Sequence, residues 1–181
     1  IDCPAQATER LIHWGSRKAM DIDGLGEELV NKLVANGILS DVADFYDKLT
    51  VSDIAELPTG RFYETDTDGH LSGDPIPTGL TIAEKIMAQI QESKTRGLAR
   101  VLFGIGIRHV GANMAALLAQ HFPSIQELQL ATEEQMAAIS GVGPKMAKSI
   151  KEFFLIPENI AVLERLRVAG VVMEEADATS D

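Results

Sequence analysis

Cysteine is nearly absent: Cys3 is the single one in 181 residues. No internal disulfide can form, and the usage fits a reducing cytoplasm. Aromatic residues make up 5% against 45% apolar residues in all, so the core must be aliphatic. No apolar run reaches the roughly 20 residues that span a bilayer, and no secretory signal is visible. Basic residues are the minority, 16 Lys and Arg against 27 Asp and Glu, for a net charge of -11. That balance argues against a broad basic surface for nucleic acid. The start, IDCPAQ, has no initiator Met, and the end, EEADATSD, is polar. The expectation is a piece of a longer protein with a disordered tail over 171–181.

What is present favours helices: Ala, Leu, Ile, Glu and Lys dominate. The charge is unevenly spread. Residues 1–37 sum to -2, 38–79 to -7, 80–151 to +3 and 152–181 to -5. Contacts to a polyanion are local, so the net-positive segment leaves room for a narrow anion-binding surface.

A repeat organises the chain. GVGPKMA at 141–147 matches HVGANMA at 109–115, TGLTIA at 78–83 and GLGEELV at 24–30. The steps Gly143 to Ala147, Gly111 to Ala115, Gly79 to Ala83 and Gly26 to Val30 are each four residues. Gly79, Gly111 and Gly143 recur every 32 residues, whereas Gly26 to Gly79 is 53. The tripeptide PTG occurs at 58–60 and again at 77–79, 19 residues apart, and removing 19 restores a spacing of 34. Residues 61–79 therefore read as an insertion near the second turn, with a small β-hairpin about Asp68–Gly69.

Each unit reads as a short helix, a tight turn and a second helix. In the fourth, Thr132 and Gln135 form a capping box, and Pro144 suits the first turn of the next helix. Met146, Ala147, Ile150 and Phe154 make an apolar stripe, with Lys145, Lys148 and Lys151 off it. Ile82, Ala83, Ile86, Met87 and Ile90 form the same stripe in the second unit. The expected fold is all-α, four tandem helix–hairpin–helix motifs with the second interrupted. Its partition is a helical lead-in at 1–19, the first unit and start of the second at 20–60, the insertion at 61–79, the remaining units at 80–170 and the tail at 171–181.

The glycine turns are not nucleotide motifs. A P-loop or a Rossmann fingerprint starting at Gly141 requires glycine where Met146 stands. What remains is an exposed turn whose amides face outward at a helix N-terminus, where the dipole favours an anion. Nothing there reads a base edge, so contact with a phosphodiester is sequence-independent. Lys145 and Lys148 add charge. A glycine joint between helices has no ligand in most proteins; four spaced copies weigh against that plain reading.

These strings carry a resemblance. CPAQATERLIHWGSRKAMDIDGLGEELVNKLVANGIL (3–39), IQESKTRGLARVLFGIGIRHVGANMAALLAQHF (90–122) and ISGVGPKMAKSI (139–150) resemble tandem helix–hairpin–helix DNA-binding modules. More closely, they resemble that domain in bacterial NAD-dependent DNA ligases. The resemblance covers about 165 residues. It implies a segment between a zinc finger and a BRCT domain that grips nicked double-stranded DNA through the minor groove in replication and repair. It implies a parent ligase that joins nicks by AMP transfer, using NAD, magnesium and zinc, in the bacterial cytoplasm at the nucleoid. The segment itself, a monomer without membrane contact, holds no catalytic residue and no cofactor, and is inactive alone. The implied DNA contacts are Gly24, Leu25 and Gly26; Gly79; Arg108, His109, Val110 and Gly111; Gly141, Val142 and Gly143; and Lys145, Lys148 and Arg17. The second turn departs from the family pattern through its insertion, and the third carries His109 in the first glycine place. Cys3 resembles the last of four zinc cysteines, with zinc bound in the full-length protein only.

Other readings were weighed. His109 has no nucleophile or paired carboxylate in motif relation to it, so a catalytic base is disfavoured. Trp14 reads as a core anchor. A helix–hairpin–helix glycosylase needs an aspartate shortly beyond its hairpin, and none lies between Asp74 and Asp177. A helical protein-interaction module remains the alternative that the acidic charge favours.

Overall fold

The structure, a computed structural model, describes residues 3–65 and 67–175. Among these it contains eleven helices and one two-stranded antiparallel sheet.

Helix α1 (Pro4–Gly15) opens on a proline, whose fixed φ suits the first helical position, and buries Ala7, Leu11 and Trp14. It ends where the Ser16 hydroxyl donates to the His13 carbonyl at 2.6 Å. Helix α2 (Glu27–Ala35) packs against it. The segment 1–19, read as a lead-in, thus supplies the first helix of the first unit. Short α3 (Asp44–Asp47) leads to α4 (Val51–Ala55), which Thr50 and Asp53 start with a reciprocal capping box. Then β1 (Pro58–Thr65) and β2 (Leu71–Pro77) pair, and α5 (Leu80–Ser93) packs on α4. The third unit is α6 (Leu98–Gly104) with α7 (Ala112–His121). After α8 (Ile125–Leu130), the fourth is α9 (Glu133–Ala137) with α10 (Pro144–Leu155). Helix α11 (Pro157–Val168) closes the helical part. The expected Thr132–Gln135 capping box opens α9.

The insertion is a β-ribbon standing in the second turn. Pro58 pairs with Pro77 at its base, and the Thr78 and Gly79 amides donate to Leu57 and Ala55 carbonyls at 2.8 and 3.0 Å. The ribbon therefore leaves the body through a hydrogen-bonded neck, and α4 and α5 still pack as a pair. Its first strand starts at Pro58, before residue 61, where the sequence placed the start of the insertion.

One aliphatic core joins the units. Trp14 is fully buried and donates its indole N–H to the Tyr46 hydroxyl at 3.1 Å; Tyr46 meets the Ser93 hydroxyl at 2.7 Å, and Ser93 donates to the Ile90 carbonyl at 2.6 Å. This satisfies the polar tips of two buried rings. Burial pushes the Tyr46 phenol up. A Cβ on Gly104 would stand 2.9 Å from Trp14 Cε3, so α6 approaches the indole only because that side chain is missing. The stripes of α5 and α10 are buried at Ala83, Ile86, Ile90, Ala147, Ile150 and Phe154 and half-buried at Met87 and Met146, whereas Ile82 is 51% exposed.

Two features tie the C-terminal part to earlier elements. Arg165 on α11 binds Asp41, Asp44 and Asp47 at 2.9, 2.7 and 2.6 Å. Asp44 is fully buried. Its burial would raise its carboxyl, yet hydrogen bonds from Arg165, Asp41 and Ser40 outweigh that and hold it at about 2. Residues 171–175, assigned by composition to the disordered tail, are packed. Val171 and Met173 are buried, the Ile125 amide donates to the Met173 carbonyl, and the Glu175 amide donates to Pro123. The apolar Val171 and Met173 outweigh the acidic composition. The rest of that tail, 176–181, lies outside the described residues.

Candidate nucleic-acid interface

Three of the four turns share one backbone path. The first place has φ +92° at Gly24, +72° at His109 and +96° at Gly141. Glycine is needed there in two turns because an L side chain rarely holds that angle, and histidine is among the residues that tolerate it. The middle residue faces inward: Val110 and Val142 are buried and Leu25 half-buried. The third place returns to extended backbone, φ/ψ -77/162° at Gly26, -87/-178° at Gly111 and -83/172° at Gly143. Gly79 differs, at φ +90°, because the ribbon delivers the chain from another direction.

Each third-place glycine opens a helix. Its carbonyl accepts from the amide four residues on, at Val30, Ala83, Ala115 and Ala147, and these four side chains are fully buried. The Gly-to-Ala step of the sequence is this joint: small residues let the second helix sit close to the first.

The other end of the joint is bare. Helices α4, α8 and α9 are capped by Thr50, Ser124 and Thr132. Like α1, α3, α6 and α11, helices α2, α5, α7 and α10, the four after the turns, have no side-chain cap. Their first-turn amides lack intrahelical acceptors. A Cβ built on Gly26, Gly79, Gly111 or Gly143 meets nothing within 4 Å. At Gly26, Gly111 and Gly143, neither backbone angle nor internal packing requires the missing side chain. The turns are also braced: a Cβ on Gly24 would meet Ile86 of α5 at 2.8 Å, and one on Gly141 would meet Leu117 and Met114 of α7 at 3.8 Å.

The side chains around the turns differ in charge. Arg108, His109, Lys145 and Lys148 are exposed beside the third and fourth turns. Lys148 is 3.9 Å from Glu152, and among the described residues Arg108 and Lys145 have no ion-pair partner. By contrast α2 begins with Glu27 and Glu28, both exposed. Arg17 is exposed in the loop after α1. Sequence reasoning passed over Arg96 and Arg100, which bond the backbone of that loop. Their i, i+4 spacing within the net-positive segment was the available signal.

Cys3 is exposed, and among the described residues no group of three or more His, Cys, Asp or Glu is placed to hold a metal ion. The donor set of a zinc site is therefore not supplied by these residues. Among the described residues no helix is long and apolar enough to cross a membrane.

Comparison with known proteins agrees with this geometry. A family described as "Helix-hairpin-helix motif" matches residues 100–163, which hold the third and fourth turns. A DNA ligase of Heliobacterium modesticaldum is 42% identical over 178 residues, covering 98% of this chain and 24% of that protein. Those of Brevibacillus brevis and Aquifex aeolicus are 44% and 40% identical, covering 95% and 94% of this chain and 23% and 21% of those proteins. The chain spans about a quarter of the length of these curated relatives. By sequence the chain corresponds to a segment, about a quarter, of these DNA ligases, and its residues 100–163 carry a helix–hairpin–helix motif.

Proposed function

We propose that this chain is the sequence-independent duplex-DNA grip of an NAD-dependent DNA ligase, holding the backbone of nicked DNA through the minor groove. The observation behind the reading is the set of four uncapped helix starts, each on a glycine whose absent Cβ faces open space. A phosphate there receives amide hydrogen bonds and the positive end of a helix dipole. Since amides add no net charge, an acidic chain can use them. Arg108, Lys145 and Lys148 add charge at the third and fourth turns, and contacts of this kind to phosphate carry no sequence information.

The nick-sealing chemistry, AMP transfer with NAD and magnesium, belongs to parts of the parent enzyme outside this chain. So does the zinc site that Cys3 would join. Action in replication and repair, in the cytoplasm at the nucleoid, follows from that parent activity.

Binding of the chain to a labelled duplex of random sequence, measured across a salt series, tests the reading. Weak binding that falls as salt rises supports it. A folded sample that does not bind at low salt refutes it.

A further inference from the structure

We infer that, on the N-terminal half, the DNA backbone is held mainly by a shelf of four basic side chains, Arg17, Lys18, Arg96 and Arg100, with the amides of the first turn as the lesser contact. This rests on the DNA-binding reading above and concerns where its charge comes from.

The shelf is built where α6 meets the loop after α1. Arg100 Nη1 donates to the Arg17 and Ala19 carbonyls at 3.0 and 2.9 Å. Arg96 donates from Nε to Met20 and from Nη2 to Asp21, at 3.0 and 3.3 Å. Two side chains four residues apart thus grip residues 17–21 by their backbone. Carbonyl oxygens satisfy donors but do not cancel charge. Each guanidinium keeps N–H groups for another acceptor. Arg17 and Lys18 are exposed on the gripped segment.

Among the described residues, no carboxylate lies within ion-pair distance of any of the four. That is unusual in a chain with 27 acidic residues, where Arg165 alone gathers three aspartates. Asp21 and Asp23 flank the segment in sequence. Glu175, on the first turn of α6, is committed to the Ala99 amide at 2.8 Å.

The first turn needs outside charge. Its helix starts with Glu27 and Glu28, and acidic groups at a helix N-terminus compete with a phosphate for the same field. The third and fourth turns have Arg108, Lys145 and Lys148 instead. The gripped segment ends three residues before Gly24, so the shelf stands beside the turn that lacks cations. Guanidinium forks suit the paired oxygens of a phosphodiester.

Three variants of the 181-residue chain, compared with wild type on a labelled random-sequence duplex over a salt series, test this. Arg17→Gln with Lys18→Gln should weaken binding about tenfold at low salt and lower the log–log salt slope by about 1.8, the value for two lost phosphate contacts. Gly26→Val should weaken binding less than the Arg17/Lys18 change does. Gly111→Val with Gly143→Val should weaken binding through the other turns. If the Arg17/Lys18 variant binds as wild type while the Gly111/Gly143 variant does not, the shelf serves another partner and this inference is wrong, with the DNA reading intact. If wild type itself does not bind, the DNA reading fails and takes the shelf with it.

Discussion

Replacing Gly143 by aspartate pulls stability and DNA binding in opposite directions. Gly143 is the N-cap of α10 at φ -83° and ψ 172°, an angle that any residue adopts, and a Cβ there meets nothing within 4 Å. Aspartate is a better N-cap than glycine, because its carboxylate accepts from the amides two and three residues on, here Lys145 and Met146. Favourable dipole interaction and lower unfolded-state entropy add to this, for about 1 kcal/mol in all. In a chain of this length that raises Tm by about 2–4 °C. The same carboxylate occupies the amides proposed for phosphate and repels it. Losing two charge-assisted hydrogen bonds weakens DNA binding by about 3 kcal/mol, or about a hundredfold. Thermal melting by circular dichroism and duplex binding by anisotropy measure the two effects. A variant that melts lower and binds DNA as wild type would refute the reasoning, making Gly143 a structural joint and not a contact.

Gly104→Ala is the contrasting glycine: its Cβ would press on the fully buried Trp14, and overpacking of this kind costs about 1–3 kcal/mol in urea unfolding. Tyr46→Phe removes the acceptor of the Trp14 indole N–H and costs about 1–3 kcal/mol, read from the fluorescence of this sole tryptophan. Arg165→Met leaves Asp44 buried without its guanidinium and costs about 2 kcal/mol at neutral pH, discounted because Arg165 itself is partly exposed. The Asp44 carboxyl is held at about 2, below its ordinary 3.8. Its stabilisation is therefore complete above pH 3.8 and is lost as pH falls through about 2. The melting gap between wild type and Arg165→Met should close over that window; a gap as wide at pH 2 as at pH 7 contradicts the assignment.

The repeat was legible because each of its residues does one physical job. The step from Gly111 to Ala115 is at once the first helical hydrogen bond and a close helix contact, so it recurs at fixed spacing. The insertion showed itself because a copy of PTG stands at each end of it, with Pro58 opposite Pro77. The Thr132–Gln135 box was readable since both partners lie within one turn. The Arg165 cluster was not, because its aspartates are 118 to 124 residues away and follow no period. The packing of 171–175 was hidden by acidic composition, although Val171 and Met173 carried the signal. At the candidate site, the sequence indicated the glycines and Arg108, Lys145 and Lys148. It could not show that Gly26, Gly111 and Gly143 face open space, which separates a contact surface from an internal joint. Nor could it show Arg96 and Arg100 beside Arg17, since that meeting depends on a fold-back of the loop across 75 to 83 residues.

The central claim is that turn amides meet DNA phosphate. Titrating the isotope-labelled chain with unlabelled duplex and following backbone amide shifts by NMR tests it most directly. The largest shifts are expected at Gly111, Ala112 and Asn113, and at Gly143, Lys145 and Met146. Shifts confined to other surfaces, with these six amides unmoved at saturating duplex, would contradict it.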